Sequence, residues 1–223
     1  MRGFRAIIFD FDGVLLESEL ELNRLTAELL TELGHETTVD EALEHFIGLT
    51  GREVIAVIEA RIGGELPDEF HRRMKESGRR ALEEGIAAVE GAIEFVRSLP
   101  PDLPKAVASS SSTKWIFGHL RNLGLEEAFG PHVYSGREHV KRGKPAPDLY
   151  IHAAEELGVA IEDCVILEDS TVGVRGALAS GARVIGLAAG SHCRDGYDRR
   201  LRDLGVTDVA YSFDDVRRLL GLD

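Results

Sequence analysis

Arg5-Ala6-Ile7-Ile8-Phe9-Asp10-Phe11-Asp12-Gly13 decides how this chain is read. Residues 5–10 form a short apolar run, the pattern of a strand buried on both faces. At its end stand two carboxylates, Asp10 and Asp12, one Phe apart and followed by Gly13. Two acids so close repel each other and cost desolvation unless a cation sits between them. A plain turn needs one Asp and the Gly. The stretch therefore predicts a strand with charged chemistry at its carboxyl end.

Beyond it the apolar pattern switches type twice. Residues 17–84 read as helices. Leu22, Leu25, Leu29 and Leu33 recur at helical spacing, with Gly34 as a stop. Thr38-Val39-Asp40-Glu41 and Thr50-Gly51-Arg52-Glu53 each have a capping-box pattern. Pro67 opens a fourth helix, with Phe70, Met74 and Ala81 inward, and Gly85 ends it. From residue 90 onward, strands and helices alternate. Strands are expected at Lys105–Ser109, His132–Ser135, Cys164–Leu167, Arg183–Ala188 and Asp208–Ser212. Helices are expected at 91–99, 113–123, 147–157, 171–180 and 214–220. Such alternation means an α/β fold, a parallel sheet with helices on both faces. The first strand belongs with that set, so the helical stretch is an insertion. The expected division is a core of 1–16 and 89–223 and a helical insert of 17–88.

Composition narrows the function classes. The chain has 223 residues, 43% of them hydrophobic, enough for one core and a small appended domain. Its 39 acidic against 26 basic residues give a formal charge of −13. Such a chain is a poor nucleic-acid binder, and an anionic substrate would need a locally positive site. Cys164 and Cys193 lack metal-ligand spacing and read as incidental thiols of a reduced, cytoplasmic protein. No apolar stretch approaches membrane-spanning length, and no signal-peptide pattern follows Met1-Arg2. A small-molecule ligand is expected, with no nucleic-acid or membrane partner, on a monomer or homodimer.

In parallel α/β sheets, ligands bind beyond the carboxyl ends of the strands. Asp10 and Asp12 follow the first strand. Ser109 ends the second, within Val107-Ala108-Ser109-Ser110-Ser111-Ser112. Lys144 lies beyond the third, in Gly143-Lys144-Pro145-Ala146-Pro147-Asp148. Glu168 and Asp169 end the fourth, in Leu167-Glu168-Asp169-Ser170. The acids suit Mg²⁺, a hard cation that takes carboxylate, phosphate and water oxygens. Ser109 offers a donor and Lys144 a point charge to phosphate oxygens. The serine turn can add backbone N–H groups, which makes Ser110 a candidate phosphate contact as well as a helix cap. A metal beside carboxylates and a phosphate cradle suggests phosphoryl transfer. One Asp would attack phosphorus, and the other would carry the proton.

These four ordered motifs, from Asp10-Phe11-Asp12-Gly13-Val14 to Leu167-Glu168-Asp169-Ser170, resemble those of the haloacid dehalogenase superfamily. The helical insert lies where that family's cap does, so the similarity covers nearly the whole chain. The resemblance implies a Rossmann-like parallel sheet core with an inserted all-α cap domain and Mg²⁺-dependent phosphate transfer. It makes Asp10 the nucleophile, Asp12 the acid–base, and Ser109 and Lys144 the phosphate holders. It places the metal on Asp10, the Asp12 backbone carbonyl and Asp169, with Glu168 either a ligand or an acid behind the ligands. Gly48-Leu49-Thr50-Gly51-Arg52 resembles the family's cap loop. Thr50 and Arg52 are thus candidate substrate contacts, or else a helix cap and a surface arginine.

The implied reaction is a phosphatase acting on a small sugar or sugar-acid phosphate. The rival is a β-phosphoglucomutase-like sugar phosphomutase, which usually has a His in the first cap helix. Here that region reads Glu19-Leu20-Glu21-Leu22-Asn23-Arg24, without one. Halide-cleaving relatives lack an acid at the Asp12 position. Phosphonate cleavage needs a cap lysine, and the insert has only Lys75. A catalytically silent binding protein is the alternative from a different class. Glu17, Glu19 and Glu21 read as a solvated helix face, with Glu17 as a possible site residue. His192-Cys193 reads as plain loop.

Overall fold

The structure, a computed structural model, describes residues 3–49 and 51–222. Six strands, β1 (Ala6–Phe9), β2 (Lys105–Ser109), β3 (Val133–Ser135), β4 (Cys164–Glu168), β5 (Arg183–Leu187) and β6 (Asp208–Ala210), form one sheet. Their order is β3-β2-β1-β4-β5-β6 and every pairing is parallel. This is the doubly wound Rossmann-like order, which reverses direction between β1 and β4. The register Phe9↔Leu167 sets the ends of those two strands side by side.

Alternation along the strands feeds two apolar layers, because successive side chains point to opposite faces. On one face Ile7, Phe9, Val107 and Leu167 pack under α5 (Ala92–Ser98), α6 (Thr113–Asn122), α7 (Glu126–Phe129) and α11 (Phe213–Leu220). On the other, Ala6, Ile8, Ala108 and Ile166 pack under α8 (Asp148–Glu156), α9 (Thr171–Ser180) and α10 (Tyr197–Asp203). The sequence pattern missed α7 and α10. They are short, and they bury only Phe129 and only Tyr197 and Leu201.

Between β1 and β2 the chain forms α1 (Ser18–Glu32), α2 (Val39–Phe46), α3 (Gly51–Ile62) and α4 (Asp68–Glu84). These carry a third apolar cluster of their own, around Leu30, Phe46, Ile58 and Phe70. The expected capping box at Thr38 and Glu41 starts α2. Thr50 lies outside the described residues. The expected leucine stripe of α1 is only partly inward: Leu29 is buried, whereas Leu33 is exposed. Asn23, Thr26 and Leu30 are buried instead. The two passages joining this group to the sheet run antiparallel. Leu16 pairs with Ala88, Glu17 N–H donates to Ala87, and Val89 N–H donates to Leu15. Among the described residues no helix is long and apolar enough to cross a membrane.

Candidate active site

The reversal of strand order opens a crevice at the carboxyl ends of β1 and β4, and the charged motifs meet there. Asp10 follows Phe9, and its backbone N–H donates to Leu167 at 2.9 Å. Lys144, on the loop before α8, is buried and reaches back across the crevice. Its Nζ lies 2.6 Å from Asp10 Oδ1 and 2.8 Å from Glu168 Oε1. Burial pulls this ammonium down, but Asp10 and Glu168 outweigh it and raise it well above the ordinary lysine value. Lys144 therefore stays charged at neutral pH.

Glu168 is saturated with donors. Besides Lys144, Oε1 accepts from the Tyr150 hydroxyl at 3.1 Å. Oε2 accepts from Ser170 N–H at 2.7 Å and from Ser170 Oγ at 3.1 Å. Gly173 makes room for it, since a Cβ there would lie 1.6 Å from Oε1. Asp169 is the reverse case. It is fully buried, and neither oxygen receives a hydrogen bond. His192 Nε2 lies 2.9 Å from its Oδ2. Gly13, at φ +82°, also lies against Asp169: a Cβ there would sit 2.0 Å from Oδ2. That is the physical reason for a glycine after the second acid.

Asp10, Glu168 and Asp169 can bring one oxygen each within 4.8 Å of the others. Burial and mutual repulsion raise Asp10 and Asp169 well above the usual carboxylate range. An orphaned buried carboxylate, crowded by acids that one lysine cannot neutralise, fits an oxygen-seeking divalent cation. The opening stretch finds one cationic partner in Lys144. Its two aspartates stand in different surroundings, for Asp12 touches no cation. Ser18 Oγ and Trp115 Nε1 donate to Oδ1 at 2.7 and 3.0 Å. Ser111 Oγ donates to Oδ2 at 2.7 Å, and Ser109 Oγ lies 3.4 Å from it.

A cavity of about 470 Å³ opens above these groups, between the sheet edge and α1–α4. Asp10, Asp12, Ser109, Ser110 and Lys144 form its floor. Leu22, Phe46, Leu49, Val54 and Met74 give it an apolar wall.

A family model for haloacid dehalogenase-like hydrolases matches residues 7–187. The chain belongs to this family. It is 34% identical over 183 residues to a phosphorylated carbohydrates phosphatase of Thermotoga maritima, covering 79% of this chain and 81% of that one. It is 26% identical over 193 residues to 6-phosphogluconate phosphatase of Escherichia coli K12, covering 86% of each. A family hydrolase from Deinococcus radiodurans, solved with phosphate and sodium, superposes with a TM-score of 0.81 at 34% identity. That match covers 100% of this chain and 97% of the other. The chain stands in the family's phosphatase branch, whose chemistry is phosphoric monoester hydrolysis.

Most of the family positions marked in the sequence converge: Asp10, Asp12, Ser109, Ser110, Lys144, Glu168 and Asp169 share one crevice. Arg52 does not join them. It is exposed on α3 and is not among the residues lining the cavity. Of the glutamates read as a solvated face, only Glu21 is exposed. Glu17 accepts from Ser191 N–H and Oγ. Glu19 lines the cavity, and burial, with Asp169 and Asp12 nearby, pushes it up to about 8. Sequence reading also missed Ser18, Trp115, Tyr150 and His192. Each reaches its carboxylate through the fold, and only Ser18 and Tyr150, beside motifs, offered any local sign.

Proposed function

We propose that this protein is a Mg²⁺-dependent phosphatase that hydrolyses a small sugar or sugar-acid phosphate through an aspartyl phosphate on Asp10. The observation that carries the reading is the contrast between the two aspartates. Asp10 lies 2.6 Å from a buried ammonium and beside the Asp169 carboxylate, which receives no hydrogen bond and would take a divalent cation. Asp12 has hydroxyl and indole partners and no cation, on the cavity side of the turn. Asp10 and Asp169 would hold the cation with the Asp12 backbone carbonyl. Glu168, already occupied by Lys144, Tyr150 and Ser170, fits better as the group that orients Lys144. When bound, Mg²⁺ offsets negative charge on the transferring phosphoryl group.

In this mechanism a carboxylate oxygen of Asp10 attacks phosphorus and the ester P–O bond breaks. The departing alkoxide takes a proton from Asp12. Lys144 and Ser109 hold the phosphoryl oxygens. Asp12 then takes a proton from water, the oxygen of which attacks the same phosphorus. The bond between Asp10 and phosphorus breaks and phosphate leaves. Residues 17–88 serve as the cap, moving on the paired passages at Leu16 and Ala88 to admit the ester and then exclude bulk water.

Phosphorylated carbohydrates as the substrate of one relative, and 6-phosphogluconate as that of another, support the substrate class. The test is phosphate release from a panel of sugar and sugar-acid phosphates. Release is expected with Mg²⁺ and not in excess chelator. Unchanged release in chelator would remove the metal from the mechanism. No release from any ester would favour a silent binding protein. The mutase alternative is weakened by the cavity's lining, which holds no histidine among the described residues.

A further inference from the structure

Asp12 is held by four side chains, and one of them differs in kind. Ser18, Ser109 and Ser111 present hydroxyls, which rotate and can donate or accept. Trp115 presents an indole N–H, which only donates. The oxygen facing it, Oδ1, is therefore a fixed acceptor. Oδ2 faces Ser109 and Ser111, which can accept in return. A proton carried by Asp12 sits on Oδ2, on the side of the phosphate-holding Ser109.

We infer that Trp115 is a positioning residue for Asp12, its indole N–H fixing which carboxylate oxygen faces the leaving group. The torsion that swaps the two oxygens of an aspartate is soft and nearly two-fold. Hydroxyl partners alone do not bias it, because they serve either oxygen. A donor-only partner does. The indole itself is well held. Ser112 caps α6 by accepting from Trp115 N–H, which sets the residue in the first turn of that helix. One turn on, the ring of His119 lies edge-on to the indole, centroids 4.3 Å apart. His119 is fully buried with neither nitrogen bonded, so it serves as packing behind the indole. The contact spans 103 positions of sequence and ties α6 to the turn after β1.

The inference rests on the proposed role of Asp12, and its test separates the two. Trp115→Phe keeps a ring and removes the donor. In the first turnover with Mg²⁺, alcohol release from a hexose 6-phosphate should slow about 10- to 100-fold, the worth of one hydrogen bond to a charged group. Nitrophenolate release from p-nitrophenyl phosphate, whose leaving group needs no proton, should stay within about two-fold of wild type. Equal slowing on both esters, or on neither, in a preparation whose wild type is active would overturn the inference and leave the phosphatase reading intact. A wild type inactive on both esters would overturn that reading, and with it this role for Trp115.

A second measurement needs no turnover and no folded Phe variant. Trp115 is the sole tryptophan, so a ¹⁵N-resolved proton spectrum contains one indole N–H signal. In Asp12→Ala that signal should move upfield and its exchange with solvent should quicken. An unmoved signal would show that the indole does not bond Asp12 and would overturn the inference.

Discussion

Ile7, Ile8 and Phe9 of β1 are wholly buried, and their side chains supply two separate apolar layers. In the helical insert, α4 runs from Asp68 to Glu84 and buries one residue, Phe70. Its neighbour α3 also buries one, Ile58. Ion pairs add to these anchors: Arg73 with Glu32 joins α4 to α1, Arg61 with Glu41 joins α3 to α2, and Arg79 with Glu76 and Glu83 lies within α4. These pairs are largely exposed, and such pairs contribute about 0–1 kcal/mol each. The sheet is buried along its strands, whereas α3 and α4 hold by single anchors. Fixed charges that must meet within tenths of an ångström stand at the sheet's edge. The wall that must admit and release a substrate belongs to the looser part.

The largest effect should come from breaking the charge balance at the sheet's edge. Lys144→Met leaves Asp10 and Glu168 buried without their shared cation. kcat should fall about 10³-fold, as when a preorganised charge donor is lost. Phosphate-release kinetics check this, and a loss under ten-fold would mean that Lys144 is a structural counter-ion only.

Next comes an anchor of the insert. Phe70→Ala should cost about 3–5 kcal/mol, the usual penalty for removing a buried aromatic side chain. The loss should be confined to one part of the molecule. Hydrogen exchange should quicken through α3 and α4 while the amides of β1 and β4 stay protected. Equal loss of protection in the sheet would make the two regions one cooperative unit and break the comparison.

A smaller effect lies where the regions touch. His119, on α6, is lowered from its ordinary value of 6.5, first by burial and against the pull of Asp12. Its folded form resists protonation, so the unfolded chain binds the proton more readily. Its contribution to stability is complete above that ordinary value and is lost as pH falls below it. Denaturant titrations should show wild type losing more stability than His119→Leu between pH 7 and pH 5.5. Identical pH dependence would contradict this sign.

The parts legible in the sequence are those where local pattern and burial coincide. β2 runs from Lys105 to Ser109 as read, because every residue in it is buried around the apolar centre Ala106-Val107-Ala108. The motif acids stand at the site because strand ends converge wherever the order reverses. α1 is the helix expected, but which of its residues are buried was not legible. It faces a cavity as well as an apolar core, so Asn23 and Thr26 are buried beside the substrate space while Leu33 is left outside. Trp115 and His192 were invisible because their partners, Asp12 and Asp169, lie far away in the chain. Nothing in sequence spacing encodes such a meeting.

The central claim is the division of labour between Asp10 and Asp12, and trapping the phospho-enzyme tests it most directly. Asp12→Asn, mixed with acetyl phosphate and Mg²⁺ and then quenched, should accumulate one phosphoryl group by intact mass. Acetyl phosphate needs little acid help, whereas hydrolysis of the aspartyl phosphate needs a base that the amide cannot supply. Peptide mapping should place the group on Asp10, with a lifetime well beyond that in wild type, and Asp10→Asn should take up none. A phosphoryl group on Asp12 or Ser109, or equal lifetimes in wild type and Asp12→Asn, would contradict the account.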